Sequence, residues 1–349
     1  MKYLKYLLIF IPISIVCKIL KVNEVCIFFI SAVSIIPLAG IMGEATEEIS
    51  AYSGPRIGGF LNATFGNATE LIISFFALKE GLFDVVKASI VGSVIGNILL
   101  VLGASMLIGG IKYKTQKFNK NVINVSSSML LFAVIGLSVP AIFTHTVQAK
   151  LLNTSKYERL SIEVAIIMIV IYILGLVFSF YTHKDLYGSE HKKEANEPKW
   201  SMKFSIAVLV LATIGIAIES ELLVGAVEPV TKTLGLSEFF VGIILIPIVG
   251  NAAEHTTAVM MALKNEMDVA VEIAIGSSLQ IILFVAPVLI FLSLLFKPMS
   301  IVFNEFELIS LIVSVLIANK VASDGESNWL EGVQLIAVYL INAMAFLIL

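Results

Sequence analysis

Long apolar stretches separated by short polar breaks fill most of the 349-residue chain. A bilayer core about 30 Å thick needs roughly 20 apolar residues in helical form. Helices are favoured because every backbone polar group must find a partner inside lipid, and the stretches lack the alternation of a membrane-spanning barrel. The pattern therefore predicts an all-α polytopic membrane protein with eleven transmembrane helices. They are 4–20, 25–43, 58–78, 86–111, 125–145, 161–183, 201–224, 238–263, 269–296, 302–319 and 330–349.

Composition supports a membrane protein, since 58% of the residues are hydrophobic and 14% are charged. Ordinary soluble domains have about 25% charged residues. The net charge of −3 excludes a broad polybasic surface, so no nucleic-acid partner is expected. The two cysteines, Cys17 and Cys26, exclude a disulfide scaffold and a Cys-rich metal site. Stretch 4–20 is interpreted as a membrane helix, because the small residues that precede a lipidated Cys are missing.

Basic residues are distributed unevenly between the two sides of the predicted membrane, fourteen against nine. The positive-inside rule places the N-terminus in the cytoplasm, and eleven spans place the C-terminus on the opposite side. We expect a multi-pass protein of the plasma membrane. Segment 184–200 is the longest non-apolar stretch and divides the chain near its middle. It is either a solvated linker of mixed charge or an acidic helix that attracts or senses cations.

Two segments of the chain match each other at a separation of 184 residues. Residues 66–70 read GNATE and residues 250–254 read GNAAE, and Gly-Ser pairs at 92 and 276 keep the same offset. Each copy belongs to a unit of five spans, and an odd number of spans inverts the second unit relative to the first. Inverted repeats are typical of secondary transporters, with the substrate near the midplane. The predicted units are an extra helix at 1–22, a first repeat at 23–183, a linker at 184–200 and a second repeat at 201–349.

Glu70 and Glu254 lie in matching places within predicted spans, where a charged side chain is costly and indicates function. The residues around them offer oxygen ligands, which suit a hard divalent cation such as Ca²⁺. His and Cys show no zinc-like spacing, and the central spans lack the Lys or Arg that an anionic substrate needs. The predicted cation ligands are Glu70 and Glu254, supported by Asn67, Asn251, Ser93, Ser277 and Gln280.

The two glutamates also bind protons in this interpretation. Burial and the proximity of a second carboxylate both favour the protonated form, whereas bound Ca²⁺ favours the ionised pair. Either state nearly neutralises the site, which predicts exchange of Ca²⁺ for H⁺. Access or proton relay is assigned to Glu47, Glu221, His255 and Asn97. The alternative for Glu47 and Glu221 is interfacial solvation, and the alternative for His255 is a packed, hydrogen-bonded side chain.

The motifs GNATELI at 66–72, GNAAEH at 250–255, GSVIGN at 92–97 and GSSLQI at 276–281 resemble those of the Ca²⁺/H⁺ exchangers. These form the cation/proton branch of the Ca²⁺/cation antiporter superfamily, and the chain resembles its bacterial members. The resemblance implies that Glu70 and Glu254 carry Ca²⁺ and protons alternately. It also implies that Glu47 and Glu221 lie at the cytoplasmic access. Lys192 and Lys193 make segment 184–200 less acidic than the family pattern.

The expected function is export of Ca²⁺ from the cytoplasm in exchange for H⁺ by alternating access, without a cofactor. The expected partners are Ca²⁺, protons and the lipid bilayer, and homo-oligomer formation stays open. A Na⁺/Ca²⁺ exchanger, or an antiporter of another divalent cation such as Mn²⁺, is the alternative. A passive channel is less favoured, because paired buried carboxylates in an inverted repeat indicate alternating access rather than a permanent pore. An enzyme is not expected, because the four histidines show no nucleophile–base or metal-ligand spacing.

Overall fold

A computed structural model shows an almost entirely helical chain and describes residues 4–146, 154–188 and 198–349. A short 3₁₀ segment, Leu4–Ile9, precedes the first α-helix. Most of the linker lies outside the described residues, so the interpretation of it as a cation sensor stays a prediction. The helices are α1 Phe10–Ile19, α2 Glu24–Phe65, α3 Ala68–Lys79, α4 Phe83–Tyr113, α5 Lys120–Thr146, α6 Thr154–Val177, α7 Lys184–Gly188, α8 Met202–Gly225, α9 Val227–Leu234, α10 Glu238–Gly250, α11 Ala252–Leu263, α12 Met267–Ser293, α13 Glu305–Ala322 and α14 Trp329–Ile348.

Within the described residues, seven helical stretches are long and apolar enough to cross a membrane, or eight if the bent pair α9 and α10 counts as one. The chain is therefore an all-helical, multi-pass membrane protein. The number differs from eleven because some predicted spans are shorter or interrupted. The first, for example, is represented by the apolar stretch Tyr6–Ile19. The predicted spans 58–78 and 238–263 are each broken into separate helices.

Helix α2 changes direction sharply although its backbone is helical throughout its 42 residues. The Ser50 Oγ atom lies 3.3 Å from the Asn62 Oδ1 atom and 3.2 Å from the Gly58 carbonyl oxygen. Twelve residues of straight helix would separate Ser50 from Asn62 by about 18 Å. The chain therefore doubles back between them. The predicted separation of the spans 25–43 and 58–78 is present as a bend in a continuous helix.

The helices are interrupted at corresponding places in the two halves of the chain. Asn67 (φ −101°, ψ 24°) separates α2 from α3, and Asn251 (φ −91°, ψ 4°) separates α10 from α11. Further along each half, a π-helical turn interrupts a long helix, at Gly96–Val101 in α4 and at Ile281–Val285 in α12. Such turns occur frequently at functional sites. Both kinds of interruption fall at the 184-residue offset of the sequence motifs, within a residue.

Loops that the sequence analysis assigns to one side of the membrane meet at one end of the protein. Strands β1 (Thr115–Lys117) and β2 (Glu326–Asn328) form an antiparallel pair between the α4–α5 and α13–α14 connections. Gln116 Nε2 donates to the Ala262 carbonyl oxygen (2.9 Å), and Asn119 Nδ2 donates to the Leu186 carbonyl oxygen (3.1 Å). Four loops predicted to share a side therefore contact one another.

The loops assigned to the other side also meet. The Ile301 backbone N–H donates to Ser161 Oγ at 2.9 Å, which joins the α12–α13 loop to the start of the sixth predicted span. Lys79, at the end of α3, lies 3.7 Å from the carboxylate of Glu221, at the end of α8. These contacts agree with the predicted order in which the chain crosses the membrane.

Helices α4 and α12 form the centre of the protein, and large apolar side chains are exposed on the outer helices, as a lipid environment requires. α4 packs closely on α10: a methyl group on Gly92 would lie 2.0 Å from the Ile243 carbonyl oxygen. The matching glycine of the second half, Gly276, has open space beside it instead. The two halves of the chain therefore differ in how tightly their Gly-Ser motifs are packed.

Candidate cation site

The two GNxxE motifs meet in the middle of the protein, where each glutamate lies against the glycine of the other motif. A methyl group on Gly250 would lie 3.2 Å from Glu70 Oε1, and one on Gly66 would lie 3.5 Å from Glu254 Oε1. Glycine allows this close approach at both places. Glu70 and Glu254 each occupy the first turn of a helix that begins after the asparagine at which the preceding helix is interrupted. The helix dipole favours negative charge at this position. The predicted convergence of the two motifs is present in the structure.

The amide of the first motif is held by the second half of the chain. Asn67 Nδ2 donates to Gln280 Oε1 at 2.7 Å, and Ser277 Oγ donates to Asn67 Oδ1 at 2.8 Å. Gln280 also lies near Gly66, because a methyl group there would meet its Oε1 atom at 3.3 Å. Helix α12 therefore orients the side chains at the break between α2 and α3.

The amide of the second motif is held by the first half in a reciprocal way. Asn251 Nδ2 donates to Ser93 Oγ on α4 at 3.1 Å and to the Pro247 carbonyl oxygen at 3.0 Å. Its carbonyl oxygen, Oδ1, is buried. The five predicted supporting residues thus form two hydrogen-bonded groups, and each group crosses between the two halves of the chain.

Asn97 and His255 extend the hydrogen-bonded group that contains Asn67, Ser277 and Gln280. Asn97 Nδ2 donates to Ser277 Oγ at 3.0 Å, and His255 Nε2 lies 3.2 Å from Asn97 Oδ1. Both residues are therefore connected through hydrogen bonds to Ser277 of the site. Their assignment to proton relay stays a prediction.

Several oxygens of the site are buried without a hydrogen-bond partner among the described residues. They are both carboxylate oxygens of Glu70, the Oε2 atom of Glu254 and the Oδ1 atom of Asn251. Glu70 is only 7% exposed, and the carboxylates of Glu70 and Glu254 repel each other electrostatically. Buried polar groups are normally hydrogen-bonded, so these oxygens are available to bind a proton, a water molecule or a cation. A hard cation accepts oxygens of this kind and removes the repulsion.

No group of three or more His, Cys, Asp or Glu side chains suited to a metal occurs within the ranges that the structure describes. The two glutamates are consequently the only acidic pair that the motifs bring together, and amide and hydroxyl oxygens must complete any coordination shell. Ca²⁺ takes about six to eight oxygen ligands in flexible geometry. The oxygen-rich network around the pair matches this requirement.

A cavity of about 1080 Å³ leads from the site toward one end of the protein. Glu254, Ser277 and Gln280 line its inner part, and Glu47 and Lys184 line it closer to the α2 bend and α7. This end is the one where the β1–β2 loops meet. The predicted access residue Glu47 therefore lines the cavity that reaches Glu254, and its role in access stays a prediction.

Glu221 occupies a different place from Glu47. Its side chain is 62% exposed, pairs with Lys79 at the opposite end of the protein and is not part of the cavity wall. Sequence reasoning did not single out Glu272, which lines the same cavity as Glu47. Its spacing of four and eight residues from Gly276 and Gln280 places all three on one face of α12, and that spacing was the signal available.

The chain matches the model of the family described as sodium/calcium exchanger protein over residues 23–181 and 204–348. It is 48% identical to a Ca(2+)/H(+) antiporter of Aphanothece halophytica, covering 97% of this chain and 95% of that protein. It is 47% identical to the Ca(2+)/H(+) antiporter ChaA of Bacillus subtilis (strain 168), covering 97% of each. The crystal structure of the Ca2+/H+ antiporter protein YfkE superimposes with a TM-score of 0.86 at 42% identity, covering all of both chains. The chain therefore belongs to the sodium/calcium exchanger protein family.

Proposed function

We propose that the protein is a secondary transporter, not an enzyme, that exports Ca²⁺ from the cytoplasm in exchange for H⁺. The observation that carries the proposal is the pair of buried glutamates with orphaned oxygens at the convergence of the two motifs. The identity of 47–48% with proteins named Ca²⁺/H⁺ antiporters supports the choice of both ions.

Ca²⁺ and protons compete for the same two carboxylates in this proposal. Glu70 and Glu254 bind Ca²⁺ in their ionised form, and Asn67, Asn251, Ser93, Ser277 and Gln280 supply or orient further oxygens. Two protons replace one Ca²⁺ without leaving a net charge at the buried site. The empty, doubly ionised site is strongly disfavoured because two like charges would be buried without compensation. Exchange follows because only the occupied states cross easily.

Alternating access arises, we infer, from eleven spans arranged as an extra helix and two inverted five-helix repeats. The paired breaks at Asn67 and Asn251 and the paired π turns support the repeat, and the grouping of loops at two opposite ends supports the inversion. The domain boundaries 1–22, 23–183, 184–200 and 201–349 follow from it. The cavity opens on one side, while the packing of Gly92 on Ile243 closes the other.

The proposal places the protein in the plasma membrane with a cytoplasmic N-terminus and the C-terminus outside. The cavity then opens to the cytoplasm, since Glu47 and Lys184 lie in loops assigned to that side. Glu221 instead lies at the external end, where its ion pair with Lys79 is found. Of the two residues assigned to the cytoplasmic access, the proposal therefore keeps Glu47 in that role and not Glu221. A homo-oligomer remains compatible with this arrangement.

The proposal is tested by Ca²⁺ uptake into proteoliposomes that contain the purified protein, with an outward proton gradient and no Na⁺. We expect accumulation above equilibrium that a protonophore abolishes. Glu70→Gln and Glu254→Gln should each abolish uptake, because an amide cannot be ionised for Ca²⁺ or protonated in exchange. Glu163→Gln is the matched control, since this exposed residue pairs with Arg159 one turn away on the surface of its own helix.

Two outcomes would favour another transported or coupling ion. Uptake that requires a Na⁺ gradient would support a sodium-coupled exchanger, the alternative from the sequence. Absence of Ca²⁺ uptake together with uptake of Mn²⁺ would support a different divalent-cation/H⁺ antiporter. Normal flux in Glu70→Gln or Glu254→Gln would refute the role of the pair in any of these exchangers.

A further inference from the structure

A second buried carboxyl lies outside the cation site, at the contact between α8 and the extra N-terminal helix α1. Glu219 on α8 is 0% exposed, and its Oε1 atom lies 2.6 Å from Ser14 Oγ on α1. Ser31 on α2 also faces this carboxyl group. The other carboxyl oxygen, Oε2, is buried without a hydrogen-bond partner among the described residues. Three helices therefore enclose a titratable group that the proposed exchange does not use.

Among the side chains that the structure describes on the surrounding helices, no cation pairs with Glu219. Helix α8 packs against α1, α2, α3 and α9. Within the described side chains of these five helices, the charged ones besides Glu219 are Lys18, Glu24, Glu44, Glu47, Glu48, Glu70, Lys79, Lys203, Glu221, Glu228 and Lys232.

Each lysine in that set either forms an ion pair with another glutamate or lies far from Glu219. Three are paired with a glutamate: Lys18 with Glu24, Lys79 with Glu221 and Lys232 with Glu228. The fourth, Lys203, precedes Glu219 by sixteen residues of α8, which is about 24 Å along the helix axis. Among the described side chains, an ionised Glu219 would therefore have no counter-ion, and a buried charge of this kind within a membrane-spanning helix is strongly unfavourable.

The hydrogen-bond geometry at Ser14 fits a protonated carboxyl. Ser14 Oγ lies 2.6 Å from Glu219 Oε1 and 2.7 Å from the Ile11 carbonyl oxygen. A hydroxyl group has one hydrogen and cannot donate to both acceptors at once. If Glu219 carries a proton, its O–H donates to Ser14, and Ser14 donates to Ile11. Both short contacts are then satisfied.

We propose that Glu219 is a proton-binding site separate from the cation site, and that the bound proton holds α1 against α8. Loss of this proton leaves an ionised carboxylate between the helices and loosens the contact. Glu221 lies two residues further along α8, and its ion pair reaches the end of α3, the helix whose first turn carries Glu70. The site thus links the docking of the extra helix to pH on the same helix that contacts the transport machinery.

Infrared spectroscopy of the purified full-length protein in lipid tests the proton. At neutral pH we expect a carbonyl band of a protonated carboxyl group that is lost in Glu219→Gln. The same band should shift in Ser14→Ala, because its hydrogen-bond acceptor is removed. Ser205→Ala is the matched control, since this buried serine of α8 donates only within its own helix, to the Ser201 carbonyl oxygen. A protonated-carboxyl region that is identical in the wild type and Glu219→Gln would overturn the proposal.

The native thiol of Cys17 on α1 reports the helix contact. In a Cys26→Ser background Cys17 is the single thiol. Its alkylation rate is measured across pH in the protein that keeps Glu219 and in the Glu219→Gln variant, and the ratio of the two rates is taken. The glutamine amide donates to Ser14 at every pH, so this ratio removes the intrinsic titration of the thiol. We expect the ratio of the Glu219 rate to the Glu219→Gln rate to rise with pH, and a ratio independent of pH would overturn the proposal that the proton holds α1 against α8.

Ser14→Ala provides a second route if Glu219→Gln does not fold. Ser14→Ala should raise the Cys17 alkylation rate at low pH, where protonated Glu219 otherwise holds α1 against α8, whereas Ser205→Ala should not. An unchanged rate in Ser14→Ala would also contradict the proposal. Neither the infrared nor the alkylation experiment measures Ca²⁺ flux, so their failure is distinct from failure of the proposed exchange.

Discussion

Replacing Gly92 by alanine tests whether the close packing of α4 on α10 holds one side of the protein shut. The added methyl group would lie 2.0 Å from the Ile243 carbonyl oxygen and 2.6 Å from its carbonyl carbon, whereas real contacts essentially never fall below 3.0 Å. The helices must therefore separate by about 1 Å, because backbone atoms cannot rotate away as a side chain does. Overpacking of a close-packed core costs about 1–3 kcal/mol, and contact with backbone favours the upper part of that range.

The assay combines thermal unfolding of the purified protein, followed by its tryptophan fluorescence, with initial Ca²⁺ uptake in proteoliposomes. Gly92→Ala should lower the unfolding midpoint and reduce uptake. Gly96→Ala is the matched control, because it lies one turn further along α4 and has open space around its methyl group. Alanine at that helical position should leave the free energy of unfolding unchanged or raise it by about 0.5–1 kcal/mol.

Gly276→Ala separates stability from transport. Gly276 corresponds to Gly92 at the 184-residue offset but faces the cavity, with no atom within 4 Å of the added methyl group. It should keep the wild-type midpoint and slow uptake, because this side must close in the other half of the cycle. A wild-type midpoint together with wild-type uptake in Gly92→Ala would refute the assignment of the α4–α10 contact as the closed side.

Three further changes test individual contacts. Gln116→Ala removes a buried donor to the carbonyl oxygen of Ala262 at the end of α11, so it should lower the free energy of unfolding by about 1–3 kcal/mol; denaturation of the purified protein measures this, and no loss would mean that the donor is dispensable. Lys79→Ala breaks an exposed pair with Glu221 and should change stability by less than about 1 kcal/mol in the same experiment, so a larger loss would contradict surface screening. Glu47→Gln removes a negative charge from the cavity and should raise the KM for Ca²⁺ mainly at low ionic strength, and a KM change independent of salt would count against electrostatic attraction.

The central site could be predicted from the sequence because its residues come from two copies of one motif. Glutamates within apolar spans, each three residues after an asparagine, have few positions in which they can be stabilised. The structure places Glu70 and Glu254 against each other's motifs, as the repeat implied. The breaks at Asn67 and Asn251 were also indicated, since glycine precedes both asparagines.

Other features depend on orientations that the local sequence does not determine. Glu219 and Glu221 are two residues apart and therefore point about 200° apart on α8. Glu221 was predicted to lie at the cytoplasmic access, but the structure buries Glu219 and exposes Glu221. Which side of a helix faces protein depends on its neighbours, and an apolar span beside lipid carries no polar stripe to mark it. The bend of α2 was likewise visible only as a polar stretch, since its backbone stays helical.

The β1–β2 pair restricts the motions by which the cavity could open and close. Its two strands belong to different halves of the chain, and Gln116 adds a further bond from β1 to the end of α11. A hinge that parts the halves as rigid bodies would have to break this ladder in every cycle. Helices α2 and α8 pack on each other, and neither of them carries a strand of the ladder. If α2 and α8 instead slide along the remaining helices, the ladder stays intact, and a cross-link between β1 and β2 should then leave turnover unchanged.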